Sequence, residues 1–158
     1  MKIILDDLSD GKVAQLLNEH LQNMQEYSPA ESIHALDQEK LKDSAITFWS
    51  ARINGELAGC GALKEISPTA GELKSMKTND AFLRKGAASK ILQAILQEAK
   101  ERGYKTLSLE TGSDQFFGPA INLYKKYGFV ECGPFGDYKL DPYSKFYSVC
   151  LENSKTLD

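Results

Sequence analysis

The sequence predicts a mixed α/β fold: a mostly antiparallel sheet of about seven strands with helices on both faces, in the order β-α-α-β-β-β-α-β-α-β-β. Three observations lead there. Two runs rich in β-branched and aromatic residues flank Asn54-Gly55, the strongest short hairpin signal. Apolar residues at Ala88, Ile91, Leu92, Ile95, Leu96 and Ala99 then change the period to that of a helix. A strand, that helix and another strand in succession require a parallel crossing next to an antiparallel first half.

The elements follow in order. Ile3, Ile4 and Leu5 make a short first strand, and Val13, Leu16, Leu17, His20, Leu21 and Met24 give the face of an amphipathic helix. His20 reads as a flank of that apolar face. Ser28-Pro29 breaks the helix, and Pro29 suits the first turn of a second short helix running to about Leu36, with a further turn at Glu39 to Lys42. Strands are expected over Ile46 to Ile53, Leu57 to Ile66 and Gly71 to Thr78. The small residues from Ala58 to Ala62 would let helices approach the sheet from both sides. Gly103 is placed to end the long helix, Leu107 to Leu109 is a strand, and Pro119 opens a helix that Gly128 ends. Phe129 to Gly133 and Phe146 to Leu151 supply the last strands, with a Pro-, Gly-, Asp- and Tyr-rich loop between them.

A length of 158 residues suits one domain, taken as 1–158. Hydrophobic residues at 42% and charged residues at 26% exclude a disordered chain, and a net charge of −3 argues against a nucleic-acid partner. The three cysteines, Cys60, Cys132 and Cys150, are too few and too widely spaced for a disulfide framework or a zinc signature, and no metal is expected. No signal peptide is visible, and no apolar run approaches the ~20 residues that span a bilayer. The expected setting is a reducing cytoplasm, without a membrane partner.

Leu83-Arg84-Lys85-Gly86-Ala87-Ala88-Ser89 links a predicted strand to a predicted helix. The first N–H groups of a helix have no internal partner and favour an anion. Gly86, Ala87 and Ala88 leave that backbone unobstructed, while Arg84 and Lys85 add positive charge, as a pyrophosphate site needs. The bland alternative is a plain strand-to-helix turn. The segment is neither a Walker loop nor a Rossmann fingerprint.

The stretch from Glu72 to Leu96 resembles the coenzyme A-binding motif of the GNAT superfamily, Gln/Arg-x-x-Gly-x-Gly/Ala, with Gly86 and Ala88 in its second half. Ala120 to Phe129 resembles the second signature of that superfamily, Ala-x-x-Leu-Tyr-x-x-x-Gly-Phe. Element order agrees over essentially the whole chain. More narrowly, the runs 28–36, 59–65 and 107–113 resemble a bacterial branch of N-acetyltransferases, the YsnE-like proteins. Two positions depart from the pattern: Leu83 stands where Gln or Arg opens the motif, and Phe117 where many members carry an asparagine that holds the pantetheine arm.

The resemblance implies a GNAT-type fold and transfer of an acetyl group from acetyl-CoA to an amine on a small molecule or a protein. The backbone of Met76, Lys77 and Thr78 would bind the acyl oxygen and pantetheine arm, and residues Arg84, Lys85, Gly86, Ala87, Ala88 and Ser89 the pyrophosphate. A bulge near Met76 and a splay between the strands ending near Thr78 and Glu110 would expose those groups. Tyr124 matches the tyrosine that protonates the departing thiolate, although its helical face also suits a core tyrosine. Glu110, at the end of a strand beside the cleft, is the candidate base, or a cap. Glu31 and His34 are candidate acceptor contacts, or ordinary surface. Phe135, Asp137, Tyr138, Asp141 and Tyr143 either receive a cationic amine or rim a subunit interface. A monomer or homodimer is expected. Two other readings stay open: a coenzyme A-binding sensor without turnover, and a nucleotide- or phosphate-binding α/β protein.

Overall fold

A computed structural model describes residues 1–34 and 42–151. Strand β1 (Lys2–Asp6) is followed by helix α1 (Lys12–Gln25), then by three strands, β2 (Ile46–Ile53), β3 (Glu56–Ser67) and β4 (Ala70–Thr78). Helix α2 (Ala87–Glu101), strand β5 (Thr106–Gly112), helix α3 (Gly118–Lys126) and strands β6 (Val130–Cys132) and β7 (Ser144–Cys150) complete the chain. Asn54 and Gly55 both have positive φ, 51° and 83°, as the tight two-residue turn joining β2 to β3 requires. The strands form one seven-stranded sheet in the order β1-β2-β3-β4-β5-β7-β6. The β4–β5 pair is parallel and every other pair antiparallel.

Between α1 and β2 the structure corrects the expected second helix. Its described residues form one 3-10 turn, Ala30–Ser32, and Ile33 is already extended (φ −97°, ψ 120°). A long-range bond prevails over local propensity here: Ser32 Oγ donates to Asp141 Oδ2 at 2.6 Å, which draws the chain onto the β6–β7 loop. Leu36, and most of the turn expected from Glu39 to Lys42, lie outside the described residues.

The helices cover opposite faces. Helix α1 buries Val13 and Leu16 against Phe48, Cys60 and Ala62. On the other face α2 buries Ile91, Leu92, Ile95 and Ala99 against Ala58, Leu63 and Leu73, and α3 adds Ile121 and Tyr124 to the same core. Burying an aliphatic side chain is worth roughly 1.5–3 kcal/mol, so packing anchors α2 more firmly than helix propensity does. Close approach requires a strand without bulk: a Cβ on Gly61 would stand 2.7 Å from Ile91 and 2.5 Å from the Met76 sulfur.

Two irregularities open the middle of the sheet. Opposite β3, Cys60 pairs with Lys77 and Ala62 with Lys74, so Ser75 and Met76 share the place facing Gly61. This is a bulge, with Ser75 at φ 57°, and it lies where the sequence predicts one. The Cys60 thiol donates to the Ser75 carbonyl at 3.3 Å. Beside it, β4 and β5 pair over Ala70–Glu72 and Thr106–Ser108 only. Beyond Glu72 the strands part, and the splay expected between Thr78 and Glu110 is present.

Candidate active site

The gap between β4 and β5 is a cleft that passes between the two layers of helices. On the α2–α3 side it is lined by Leu73, Met76, Leu109, Phe117, Ala120 and Tyr124. On the α1 side the lining is Leu17, His20, Met24, Ile33 and His34, with Glu72, Lys74 and Glu110 at the point where the strands diverge.

The loop after β4 has the geometry that an anion needs. Gly86, at φ 86°, is the N-cap of α2, no side chain caps the helix, and its first turn carries no acidic residue. Among the described residues, no backbone N–H from Leu83 to Ser89 has a partner. No atom of the described residues lies within 4 Å of where a Gly86 Cβ would be, which leaves the cradle open among them. Arg84 and Lys85 are exposed, and the Ala87 side chain is buried beneath the helix. The Ser89 hydroxyl is not free: it bonds the Tyr127 hydroxyl, which also accepts from Gln93 at 2.6 Å. That bond ties the start of α2 to the end of α3. The loop can therefore hold a phosphate through backbone and two cations, without Ser89 Oγ.

Tyr124 lies in the wall of the cleft, 6% exposed. Among the described residues its hydroxyl has no hydrogen bond, and burial pushes its pKa well above the ordinary phenol value. It keeps its proton at neutral pH and has that proton available to a leaving group in the cleft. Phe117, where the resemblance leads one to expect an amide, packs on Gly112: a Cβ there would stand 2.2 Å from the ring. At this point the cleft has an aromatic wall in place of a hydrogen-bonding one.

Glu110 faces α1. Its Oε2 accepts from Ser144 Oγ at 2.8 Å. Burial holds its carboxyl above the usual range; the Ser144 bond and the charges of His34 and Lys74 oppose this, and the charge of Glu72 adds to it. A carboxylate so placed binds a proton more readily than an exposed one. His34 reaches the cleft and meets Tyr138 edge-on at 4.9 Å, but the Glu31 side chain is exposed and is not among the cleft-lining residues. Lys77 points to the α1 face, where its amine lies 3.7 Å from Asp80, so its backbone alone adjoins the gap. Met76 and Thr78 continue that free edge.

Sequence reasoning overlooked Glu72, Lys74 and Ser144 and gave His20 no part in the cleft. Glu72 is 4% exposed, accepts from Tyr138 Oη at 2.5 Å and pairs with Lys74 Nζ at 3.2 Å. A signal was present: Glu72-Leu73-Lys74 sets opposite charges two apart on one face of a central strand. Among the described residues, His20 Nδ1 is buried without a partner, and burial, aided by the charge of Lys77, lowers the imidazole pKa to about 4.

Set against known proteins, residues 13–129 match the acetyltransferase (GNAT) family. The chain belongs to that family. It is 56% identical to the uncharacterized N-acetyltransferase YsnE of Bacillus subtilis (strain 168), over 96% of this chain and all of that one. To the uncharacterized N-acetyltransferase YedL of Escherichia coli (strain K12) it is 48% identical, over 95% of each. Among solved structures, a GNAT family acetyltransferase from Elizabethkingia anophelis with acetyl-CoA bound superposes with a TM-score of 0.67 at 19% identity, covering 95% of this chain and 97% of that one. This last likeness is one of fold. The N-acetyltransferase character expected from the two signatures is thus upheld by the family and its relatives. No helix among the described residues is long and apolar enough to cross a membrane.

Proposed function

We propose that this family member transfers the acetyl group of acetyl-CoA to an amine by direct attack while both substrates occupy the β4–β5 cleft. One observation carries the reading: a single cleft is lined by a buried phenol and a half-buried carboxylate with raised proton affinity, and β4 at its edge leads into an open, backbone-lined anion cradle. In this scheme the N–H groups of residues 83–89 bind the pyrophosphate, and Arg84 and Lys85 balance its charge. The free edge at Met76, Lys77 and Thr78 holds the arm and polarises the acetyl carbonyl.

Chemistry follows from the side chains. An ammonium group gives one proton to Glu110, and the neutral nitrogen attacks the acetyl carbon. The C–N bond forms and the C–S bond breaks as Tyr124 protonates the sulfur. The tyrosinate regains its proton from the new amide nitrogen, and Glu110 releases the first proton to water. The sum is ammonium plus thioester giving amide, free thiol and one proton.

The test mixes the protein with acetyl-CoA and a panel of primary amines and follows free thiol. Amine-dependent thiol release, with intersecting initial-rate lines, is expected. Calorimetry should show coenzyme A binding where ATP and NAD do not. An acetylated protein accumulating without amine would overturn direct attack.

A further inference from the structure

Glu110 does not stand alone. Glu72 lies on the adjoining strand, paired in register with Ser108, and Glu110 is two residues further along on the same face. The two carboxylates therefore flank the point where β4 and β5 diverge. The groups facing Glu110 are known from every element around it: Glu72 and Lys74 on β4, Ser144 on β7, His34 after the 3-10 turn, and Tyr138 from the β6–β7 loop.

Two like charges at a buried point need a reason to persist. Glu72 is held on one side only. Its Oε2 accepts from both Tyr138 Oη and Lys74 Nζ. Lys74 spends its three donors on Glu72, Tyr138 Oη at 3.0 Å and the His34 carbonyl at 3.3 Å. Neither Tyr138 nor Lys74 has a donor left for Glu110. Among the described residues, Glu72 Oε1 and Glu110 Oε1 have no partner, although both residues line the cleft. Leu17, Met24 and Ile33 add apolar lining here, beside the imidazoles of His20 and His34. Two carboxylate oxygens without a partner among the described residues, at one end of a partly apolar cleft, form a receptor for a cation of the size of an ammonium group.

We infer that Glu72 is the second member of the acceptor site: clamped by Tyr138 and Lys74, it holds the incoming ammonium group together with Glu110, which then takes the proton. This rests on the acetyl-transfer reading for the final step but not for the pair. In the transfer one N–H bond breaks and one O–H bond forms on Glu110, and no further reactant is needed. Tyr138 and Lys74 hold Glu72 in place through its Oε2, so its Oε1 stays turned to the incoming group. Tyr138 is a positioning residue: it touches Glu72, not the acceptor.

The decisive experiment needs no turnover. Protein labelled with 13C at glutamate carboxyls is titrated by NMR as wild type, Glu72→Gln and Tyr138→Phe. In wild type one glutamate, lost in Glu110→Gln, should titrate above the usual range. In Glu72→Gln its midpoint should fall, because the neighbouring charge is gone. Then 2-phenylethylamine, ethylamine and putrescine are titrated into the protein saturated with coenzyme A. At least one should bind, roughly 10-fold more weakly to Glu72→Gln, and more weakly to Tyr138→Phe by a smaller factor. An unmoved Glu110 midpoint in Glu72→Gln, or equal amine affinity in wild type and both variants, overturns the pair. So does binding of none of the three amines. Should Glu72→Gln fail to fold, Tyr138→Phe decides, because it keeps the ring between His34 and Phe146 and removes only the hydroxyl. If the midpoint and amine binding shift as described while Glu110→Gln keeps full activity, the base role fails and the ammonium site stands.

Discussion

On the α2 side of the β4–β5 gap, the groups that face a ligand are backbone N–H groups from one short stretch, residues 83–89, with little side chain in the way. On the α1 side they are side chains from scattered places: Glu72 and Lys74 on β4, Glu110 on β5, Tyr138 in a loop, Ser144 on β7 and His34 after a turn. Under the proposed function the first half would recognise a moiety that every substrate pair shares, and backbone does that whatever the surrounding sequence. The second half would distinguish one acceptor from another, and only side chains carry that distinction. Damage should therefore be all-or-none on the coenzyme side and graded, with a pH signature, on the acceptor side.

The largest effect should come from Gly86→Glu. Its φ of 86° is costly for any side chain, and a carboxylate would stand beside the pyrophosphate. Isothermal calorimetry should show coenzyme A affinity down by at least ~100-fold, whereas Gly86→Ala, which meets no neighbour, should lose far less. Similar losses in both variants would mean that loop conformation, not charge, sets binding.

Glu110→Gln should lower kcat by about 100-fold at neutral pH and flatten the acid limb of the rate profile. Because burial raises this carboxyl, that limb should lie above the ordinary carboxylate range in wild type, with activity falling as pH drops through it. Stability runs the other way. A carboxyl raised in the folded state contributes stability that is complete below its unfolded pKa and is lost as pH rises through the folded one. Glu110→Gln should hence melt at a higher temperature than wild type at pH 7, with the advantage fading on acidification. Scanning calorimetry at two pH values checks the sign.

Tyr124→Phe should cost roughly 10-fold in kcat, with the KM for acetyl-CoA unchanged, since the ring still fills its place and a thiolate already leaves fairly well. Steady-state rates where chemistry limits turnover would expose a purely structural tyrosine as no change at all. The smallest effect should be that of Tyr127→Phe. It removes the hydroxyl shared by Ser89 and Gln93 but no backbone donor, so coenzyme A affinity should change no more than about 3-fold. A larger loss would show that side chains carry more of the coenzyme side than its geometry indicates.

The same contrast explains what the sequence made legible. Asn54-Gly55, the small run around Gly61, Gly86 with its neighbours and the tyrosine of Ala120 to Phe129 are local signals, and each is found where it was expected. The splay and the bulge followed from the family resemblance rather than from composition. What escaped depends on pairings across long separations: Glu72 with Tyr138, Ser32 with Asp141, Ser144 with Glu110. Ser32 illustrates the cost, since its bond to Asp141 dissolved a helix that Pro29 and the following residues favour locally. No spacing rule reaches across 109 residues.

Cys60 bears on what the protein avoids. Its sulfur sits behind the bulge, bonded to the Ser75 carbonyl, and burial raises its pKa to about 12. At pH 7 the nucleophilic thiolate is then about 10⁻⁵ of the total. A reaction that brings an activated thioester to this strand and releases a free thiol there invites two side reactions: self-acylation of the protein and mixed-disulfide capture of the product. The Cys60 thiol is chemically silent to both, so under the proposed reaction a residue that packs as a small hydrophobe also leaves the acetyl group to the acceptor alone.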